Sequence, residues 1–288
     1  MNNPASAPPR VLGWLMLLPV VALCVFVVAA PIGNLFVQSL APVPPEKGLT
    51  VSHYTRFFTD PFFLSVLGRS FRMAALVVLS CLLVGWPVAF YLSRCSARAR
   101  VYLTLLVLAP LLISVVVRTF GWVVILGRNG VLNNMLLSLG VLDEPARLLY
   151  TEGAVLVGMV HTLLPLTVLP IAAALDNVDP SLARAARNLG ASGRQVLFRV
   201  WFPLSLPGVV AGTVITFSLA ASAFVTPVVL GGARMKFMSS LIYQYNVTLL
   251  DWPFGSTLSV ILLVLTLGLV TAYSRAIERG PARAVFER

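Results

Sequence analysis

The chain alternates long apolar runs with shorter polar ones, and this pattern predicts its elements. Six apolar runs reach the roughly 20 residues that a helix needs to cross the hydrocarbon core of a bilayer. They span residues 11–40, 71–92, 101–126, 152–175, 207–230 and 255–276. Backbone polar groups in lipid must bond within their own segment, and the runs are too long for barrel strands. We therefore expect an all-α membrane protein with six transmembrane helices.

The composition supports this expectation. Of the 288 residues, 58% are hydrophobic and only 11% are charged, which excludes an ordinary soluble domain. The net charge of +11 would suit a nucleic-acid binder, but its distribution argues against that partner. Arginines are concentrated in every second polar segment, whereas the segments between them dilute their basic residues with acidic ones. By the positive-inside rule, the arginine-rich segments and both termini lie in the cytoplasm.

This topology predicts the domain organisation and the location. Residues 1–10 and 277–288 are expected to be cytoplasmic tails, and residues 11–68 to form the first transmembrane helix with a periplasmic loop. Residues 69–276 would form a core of five transmembrane helices that is interrupted by a cytoplasmic loop at 176–206. We expect a multi-pass membrane protein, in contact with membrane lipid and without a nucleic-acid partner.

The polar loop at 176–206 is predicted to begin with a short helix. Asp179 suits the position that caps the helix start, Pro180 suits its first turn, and Gly190 can end it in the left-handed region. One side of this helix would be apolar and the other polar. The apolar side would carry Leu182, Ala185, Ala186 and Leu189, and the polar side Arg184, Arg187 and Asn188.

A second short helix is predicted to follow in the same loop. Ser192 and Gln195, three residues apart, form a capping box that opens it, and Pro203 and Pro207 are expected to stop it. Such a segment between spans either presents itself to a partner protein or rests as an amphipathic helix pair on anionic lipid headgroups.

Six residues of this loop share a spacing with a known family. They are Ala185, Ala186, Gly190, Val200, Phe202 and Pro203. The pattern resembles the cytoplasmic loop of the permease subunits of binding-protein-dependent ABC importers, in which a Glu-Ala-Ala triplet precedes the glycine. Arg184 departs from it, because it stands where the family usually has Glu. The resemblance implies that the loop docks on an ATP-hydrolysing subunit through Arg184, Ala185, Ala186, Gly190, Arg194 and Pro203.

The resemblance also implies the fold, the partners and a location in the bacterial inner membrane. The chain would be one permease subunit of a type I ABC importer, paired with a second permease that is expected to be a different chain. Two copies of an ATP-binding ABC subunit would bind on the cytoplasmic side. A periplasmic solute-binding protein would deliver a small solute, which the spans would move into the cytoplasm by alternating access.

Three further stretches resemble the polyamine-type permeases of this family. They are residues 117–122, 126–130 and 223–232. A polyamine such as spermidine or putrescine is therefore the first prediction for the solute. Opines, amino-acid derivatives, phosphonates and iron remain open. So does a different class of protein, a non-transporting membrane scaffold or an intramembrane enzyme.

The chemistry of the side chains favours a subunit without a catalytic centre. The chain contains only two lysines, Lys47 and Lys236, and neither stands in a P-loop context. We therefore expect the chain to bind no cofactor, and ATP and Mg²⁺ to be used by the partner ATPase. The cysteines Cys24, Cys81 and Cys95 have no metal-ligand spacing, so no metal site is expected. No span interior carries a carboxylate that could serve as a catalytic base.

Polar residues in or near the spans form the candidate substrate path. They are Arg118, Ser218, Ser222, Thr226 and Asp251. Arg118 either forms a wall of this path or snorkels to the outer surface. The hydroxyl groups either line the path or bond back to their own helix.

Two other features of the spans have alternative interpretations. Small residues recur every fourth position in the fifth run, which predicts close packing within the chain or against another subunit. They are Gly208, Gly212, Thr216 and Ala220. His161, within the fourth run, is either a neutral histidine bonded to a neighbour or a proton relay.

Overall fold

The structure, a computed structural model, describes residues 10–42 and 48–278, and within these ranges it describes the side chains of residues 18–277. The predicted tails at 1–10 and 277–288 therefore fall almost wholly outside the described residues, and so does Lys47. All regular structure in the described ranges is helical, as the sequence predicts.

Fourteen α-helices and two π-helical turns follow one another along the described chain. The first seven helices are α1 (Arg10–Ser39), α2 (Ser52–Thr59), α3 (Pro61–Leu92), α4 (Ala97–Leu112), α5 (Val115–Leu126), α6 (Val131–Ser138) and α7 (Glu152–Asp176). The polar loop then contains α8 (Pro180–Asn188), α9 (Gly193–Val196), a π-helical turn (Leu197–Trp201) and α10 (Phe202–Leu204). The remainder contains α11 (Leu206–Ser222), α12 (Val225–Gly231), α13 (Met238–Tyr243), a π-helical turn (Gln244–Thr248) and α14 (Trp252–Glu278).

Five helical segments of the described chain are long and apolar enough to cross a membrane. They are Leu18–Ser39, Pro61–Leu92, Val115–Ser138, Glu152–Asp176 and Trp252–Ile277. A sixth is obtained if Gly193–Leu204 and Leu206–Ser222, which are bent by 59° relative to each other, are one span. The all-helical membrane fold is thus confirmed. The side of the membrane on which the termini lie stays a prediction from charge.

Two of the six predicted spans are wrong as continuous helices. The run 101–126 is divided between α4 and α5 at Ile113 and Ser114, whose ψ angles are 136° and 134°. The run 207–230 is divided between α11 and α12 at Ala223 and Phe224. Three of these four residues are apolar, so the hydrophobic pattern continues across the breaks although the helical hydrogen bonds stop. Periodicity alone cannot detect such breaks.

The larger compact unit contains residues 60–241 and 262–278 of the described chain. Helices α3, α7 and α11 pack against one another at its centre. Two clusters of buried apolar side chains hold them together. One contains Met73, Val77, Val155, Met159 and Leu230, and the other contains Leu92, Ile171, Leu175, Val196 and Trp201. The second cluster ties the polar loop to the spans, because Val196 and Trp201 belong to that loop.

The small residues of α11 pack within the chain. A Cβ atom added at Gly208 would lie 2.4 Å from the carbonyl oxygen of Pro170, and one at Gly212 would lie 3.1 Å from the Cα of Thr167. The hydroxyls of Thr216 and Thr167 are hydrogen bonded at 2.7 Å across the same contact. Close packing of α11 on α7 is therefore the role of this stripe, and the internal-packing interpretation is confirmed.

The smaller compact unit contains residues 10–42, 48–59 and 242–261 of the described chain. The Arg56 guanidinium lies 4.2 Å from the centre of the buried Phe254 ring and 3.7 Å from the Asp251 carboxylate. The Thr257 hydroxyl donates to the backbone carbonyl of Ser39 at 3.2 Å. These contacts join α1, α2 and the beginning of α14 within this unit.

Candidate functional site

The first helix of the polar loop, α8, forms as its sequence predicts. The Asp179 carboxylate accepts a hydrogen bond from the backbone N–H of Ser181 at 2.7 Å, and Pro180 occupies the first turn. This bond, the Ser181 hydroxyl and, less strongly, Arg184 lower the pKa of the Asp179 carboxyl. Gly190 follows the helix with φ of 86°, a left-handed conformation that glycine adopts without steric cost.

The second helix begins as predicted and ends between the two prolines that were expected to stop it. The capping box between Ser192 and Gln195 is present in full. The chain then passes through the π-helical turn and continues helically to Leu204, one residue beyond Pro203 and three before Pro207. In this wider turn the N–H of Phe202 donates to the carbonyl of Leu197, five residues back, and Pro203 fits into the helix directly after it. The chain bends at Ser205, where α11 begins.

The predicted apolar side of α8 faces away from the rest of the described chain. Ala186 is half-buried, but Ala185 is exposed, Leu182 is 41% exposed and Leu189 is 89% exposed. The buried residue of this helix is Ala183 instead. We call the exposed residues of α8 and its C-cap that surround Ala183, namely Leu182, Arg184, Ala185, Arg187 and Leu189, the coupling surface. Sequence reasoning identified its apolar residues, and the structure shows that the described part of the chain leaves them uncovered.

The opposite side of the loop is held by an aromatic cluster, which we call the aromatic clasp. It comprises Trp86, Phe90, Arg94, Trp201 and Phe202. The Arg94 guanidinium carbon lies 3.3 Å from the centre of the Trp201 ring and 5.2 Å from that of Phe90. Trp86 stacks on Phe90 with ring centres 5.5 Å apart, and its indole N–H donates to the Ser205 hydroxyl at 2.9 Å. The sequence analysis did not identify this cluster, because its members come from two distant parts of the chain.

Charged residues near the clasp are arranged around Asp176. Arg100 forms an ion pair with the Asp176 carboxylate. Burial lowers the pKa of Arg94, and the Asp176 charge opposes that effect.

Arg184, which stands where the resembling family usually has Glu, forms no ion pair with any described residue. The charge at position 184 therefore does not brace the loop.

Arg118 is buried within the described chain instead of reaching its surface, and its role as a wall of the substrate path stays a prediction. It is 9% exposed, and its guanidinium donates to the backbone carbonyl of Pro110 near the end of α4. Carbonyls in the last turn of a helix lack partners within it, so a cation at this break satisfies one of them and complements the helix dipole. The Nε of Arg118 has no hydrogen-bond partner among the described residues.

The other candidate path residues do not form a single group. Thr226 lies 3.4 Å from the hydroxyl of Thr119, the neighbour of Arg118 in sequence. Ser218 and Ser222 bond back to carbonyls of their own helix, at 2.8 Å and 3.0 Å. Asp251 belongs to the smaller unit, where it pairs with Arg56. The structure thus brings Arg118 and Thr226 to one region and shows the two serine hydroxyls in intrahelical bonds.

His161 has a definite partner. The indole N–H of Trp122 lies 3.2 Å from its Nδ1. This contact agrees with the interpretation of His161 as a hydrogen-bonded histidine. The described residues contain no cluster of three or more His, Cys, Asp or Glu side chains that could hold a metal ion.

The loop between α5 and α7 carries two adjoining concave surfaces. Their cavity volumes are 450 Å³ and 530 Å³, and Arg147 and Tyr150 line both. Arg128 lines the first cavity and Arg234 the second. These three arginines form no ion pair within the described ranges.

Tyr150 has φ of 62°, and its backbone N–H donates to the carbonyl of Leu230 at 3.0 Å. A strained residue held in place at a concave surface is typical of a functional position.

Asn133, which the sequence analysis missed, organises this loop. It is fully buried, and its amide nitrogen donates to the carbonyls of Gly127 and Ala146 while its oxygen accepts from the N–H of Ala146, each at 3.0 Å. One side chain thus joins two segments 19 residues apart, Gly127 to Ala146. Only the spatial structure reveals this role, because Asn is common in exposed loops as well.

We expect Asn133→Ala to loosen this loop without unfolding the spans. Three hydrogen bonds would be lost and their backbone partners left unsatisfied, at a cost of about 1–3 kcal/mol. The measurement is the rate of limited proteolysis between residues 139 and 147. The matched control is Asn134→Ala, whose exposed side chain makes one long bond of 3.4 Å. Equal cleavage rates in the two variants would contradict the role of Asn133.

Comparison with known proteins agrees with the all-helical membrane fold and with the polar loop described above. Residues 9–278 match the family described as "Binding-protein-dependent transport system inner membrane component". The chain is 38% identical over 228 residues to the spermidine/putrescine transport system permease protein PotB of Haemophilus influenzae, which covers 79% of each chain. It is 35% identical over 227 residues to PotB of Escherichia coli K12, covering 79% of this chain and 82% of that protein.

A more distant relative covers more of the chain. A putative 2-aminoethylphosphonate transport system permease protein, PhnU of Salmonella typhimurium, is 27% identical over 281 residues, covering 96% of this chain and 95% of that protein.

Solved structures show the same fold. The crystal structure of a bacterial ABC transporter involved in the import of alginate contains a chain that matches with a TM-score of 0.80 at 19% identity, over 94% of this chain and 96% of that one. The MetNI methionine ABC transporter in an inward-facing conformation matches with a TM-score of 0.56 at 20% identity, over 78% and 99%. The match over almost the whole described chain shows that it belongs to the family of inner-membrane components of binding-protein-dependent transport systems, as a permease subunit of an ABC importer.

Proposed function

We propose that this permease imports a polyamine, such as spermidine or putrescine, from the periplasm into the cytoplasm. The observation that carries the proposal is the identity of 35–38% over 79% of the chain to two permeases named for these solutes. The relative named for 2-aminoethylphosphonate is less similar, at 27%. Aromatic side chains and hydroxyl groups can receive ammonium groups without a buried carboxylate.

The coupling surface supports a cytoplasmic ATPase as the partner. Leu182, Ala185 and Leu189 form an apolar face that the described chain does not cover, and Arg184 and Arg187 lie on the polar side of the same helix. Exposed apolar side chains bordered by polar ones are typical of protein interfaces. A helix pair resting on lipid headgroups would also bury apolar residues, but α8 carries only one large apolar residue, Leu182, and Leu189 follows directly after the helix. ATP and Mg²⁺ are used by that partner, and this chain binds no cofactor of its own.

The proposed complex contains two permease chains, of which this is one, and two ATPase copies. Closure of the ATPases on ATP brings the coupling surfaces together and opens the spans to the periplasm, and hydrolysis resets them. The assignment of the polar loop to the cytoplasm rests on its arginines. The cavities lined by Arg128, Arg147 and Arg234 then face the periplasm, where they support the docking of a solute-binding protein through its carboxylates.

Reconstituted transport tests this proposal. The permease is placed in vesicles with its permease and ATPase partners and the solute-binding protein, and uptake of radiolabelled spermidine is measured. We expect uptake that requires ATP and the binding protein, and that putrescine inhibits but 2-aminoethylphosphonate does not. Concentration of spermidine by vesicles that contain this chain alone would contradict the role as an ATP-driven subunit. Transport of 2-aminoethylphosphonate without transport of spermidine would contradict the solute.

A further inference from the structure

The polar loop is attached to the spans through a buried apolar cluster, to which the loop contributes Ala183, Val196 and Trp201. Its outer side, the coupling surface, is exposed, and Arg184 forms no ion pair with the described residues. Trp201 is the largest loop side chain in this cluster; it is 3% exposed and lies against Phe90 near the end of α3. Trp201 is therefore one route by which a force on the coupling surface can reach α3.

The contact with Trp201 is made at the end of α3 and in the turn that follows it. Trp86 and Phe90 are four residues apart on one side of α3, and Arg94 lies in the turn after the helix ends at Leu92. Phe90 meets the Trp201 ring edge to face, with ring centres 6.1 Å apart. Arg94 covers that ring at 3.3 Å. Cation–π contacts of this kind strengthen when the cation is partly removed from water.

Trp86 also contacts the bend of the loop at Ser205. Trp86 donates to the hydroxyl of Ser205, and this hydroxyl donates to the carbonyl of Phe202 at 2.8 Å. Ser205 is fully buried and separates Gly193–Leu204 from α11, which are bent by 59°. The π-helical turn that contains Trp201 precedes the bend, with the single turn of α10 between them, and π-helical turns occur frequently at functional sites. Trp86, Phe90 and Arg94 thus contact the loop before the bend, at Trp201 and Phe202, and at the bend itself, at Ser205.

We propose that Arg94 is a positioning residue that fixes the polar loop to α3 by covering Trp201, so that the loop and α3 move as one body during transport. This inference rests on the proposed docking of an ATPase on the coupling surface. In this proposal Arg94 acts through Trp201 and not by direct contact with the solute or the ATPase. It sets the angle at which the loop transmits the ATPase motion into α3 and α11.

The test compares transport per ATP hydrolysed in the reconstituted complex. Arg94→Met keeps an apolar stem but removes the cation, and Arg94→Lys restores a cation. We expect Arg94→Met to lower the amount of solute moved per ATP about threefold to tenfold, and Arg94→Lys to stay within about twofold of the wild type. Arg98→Met is the matched control, because Arg98 is exposed in the first turn of α4 and makes no described ion pair or ring contact.

The ratio of solute moved to ATP hydrolysed distinguishes a positioning role of Arg94 from a loss of folded protein. A loss of folded protein would lower transport and ATP hydrolysis in proportion and leave the ratio unchanged. A wild-type ratio in Arg94→Met would overturn the inference, and so would a ratio in Arg94→Lys as low as that in Arg94→Met. Trp201→Phe, which keeps a ring face, and Trp201→Leu, which removes it, give a second comparison with the same expected order. If the wild-type complex itself shows no solute-stimulated ATP hydrolysis, the proposed function fails, and that outcome is separate from any difference between the variants.

Discussion

Gly208→Ala is expected to lower the thermal stability of this permease more than any other single added methyl group on α11. The new Cβ would lie 2.4 Å from the Pro170 oxygen, 2.7 Å from the Ile171 Cα and 2.8 Å from the Ala174 Cβ. Two of these atoms belong to the backbone of α7, so one of the two helices has to move. Overpacking of this kind costs about 1–3 kcal/mol, which exceeds the roughly 1 kcal/mol that alanine gains over glycine in a helix.

Three other glycines give a graded comparison. Gly212→Ala meets the Thr167 backbone at 3.1 Å and is expected to cost less. At Gly158 the new Cβ would lie 2.5 Å from a methyl carbon of Leu230, but this atom ends a flexible side chain that can move aside. Gly268→Ala meets nothing within 4 Å and gains helix propensity, so it is the control.

The measurement is the unfolding temperature of the detergent-solubilised chain, followed by fluorescence-detected size exclusion after heating. We expect a decrease on the order of 5 °C for Gly208→Ala and no decrease for Gly268→Ala. If Gly208→Ala and Gly268→Ala unfold at the same temperature, the close contact between α11 and α7 is not a determinant of stability.

Local signals in the sequence predicted local structure well. Asp179 and Gly190 bound α8 as expected, because a cap and a left-handed glycine act within a few residues of themselves. The capping box of Ser192 with Gln195 formed for the same reason. The number and approximate position of the apolar segments also followed from the sequence, since lipid requires a long apolar stretch for every crossing.

Features that depend on contacts between distant residues were missed. The bond from Arg118 to the Pro110 carbonyl was missed, because the break that leaves this carbonyl without a helical partner is not visible in the hydrophobic pattern. The π-helical turn before Pro203 was missed, because the turn depends on the bond from the Phe202 N–H to the Leu197 carbonyl. The sequence analysis did not identify Arg94, although Trp201 lies under it. In each case the partner is a backbone atom or a ring whose position only the folded chain defines.

The coupling surface and the aromatic clasp consist of different residues. This separation explains how the loop can function although position 184 carries Arg where the family usually has Glu. A side chain at 184 points to the exposed face, where it can affect affinity for a partner. The loop is attached to the spans by other residues, among them Val196, Trp201 and Ser205. If the proposed docking and the proposed role of Arg94 hold, affinity for the ATPase and transmission of its motion depend on different residues and can be altered independently.

Leu189→Asp is expected to abolish solute uptake while the permease remains folded and in the membrane. Leu189 is 89% exposed, so its replacement removes no contact within the chain. In a complex with the ATPase this side chain would be covered, and burial of a leucine stabilises by about 1.5–3 kcal/mol. Burial of an unpaired carboxylate costs more than that gain. The affinity for the ATPase should therefore fall by about two orders of magnitude or more.

The measurement is the amount of ATPase that co-purifies with the tagged permease over a range of ATPase concentrations, together with solute-stimulated ATP hydrolysis. Leu49→Asp is the matched control: Leu49 is also a highly exposed leucine, at 79%, but it lies on the loop that is predicted to face the periplasm. Leu189→Met, which retains an apolar side chain, should bind the ATPase like the wild type. If Leu189→Asp binds the ATPase with unchanged affinity, this face of α8 contacts lipid headgroups or another surface. Loss of ATPase binding by Leu189→Asp, with binding retained by Leu49→Asp, would establish that the ATPase binds the chain at this face of α8. Leu189 and Leu49 are both highly exposed, so a difference in contacts within the chain would not explain the result.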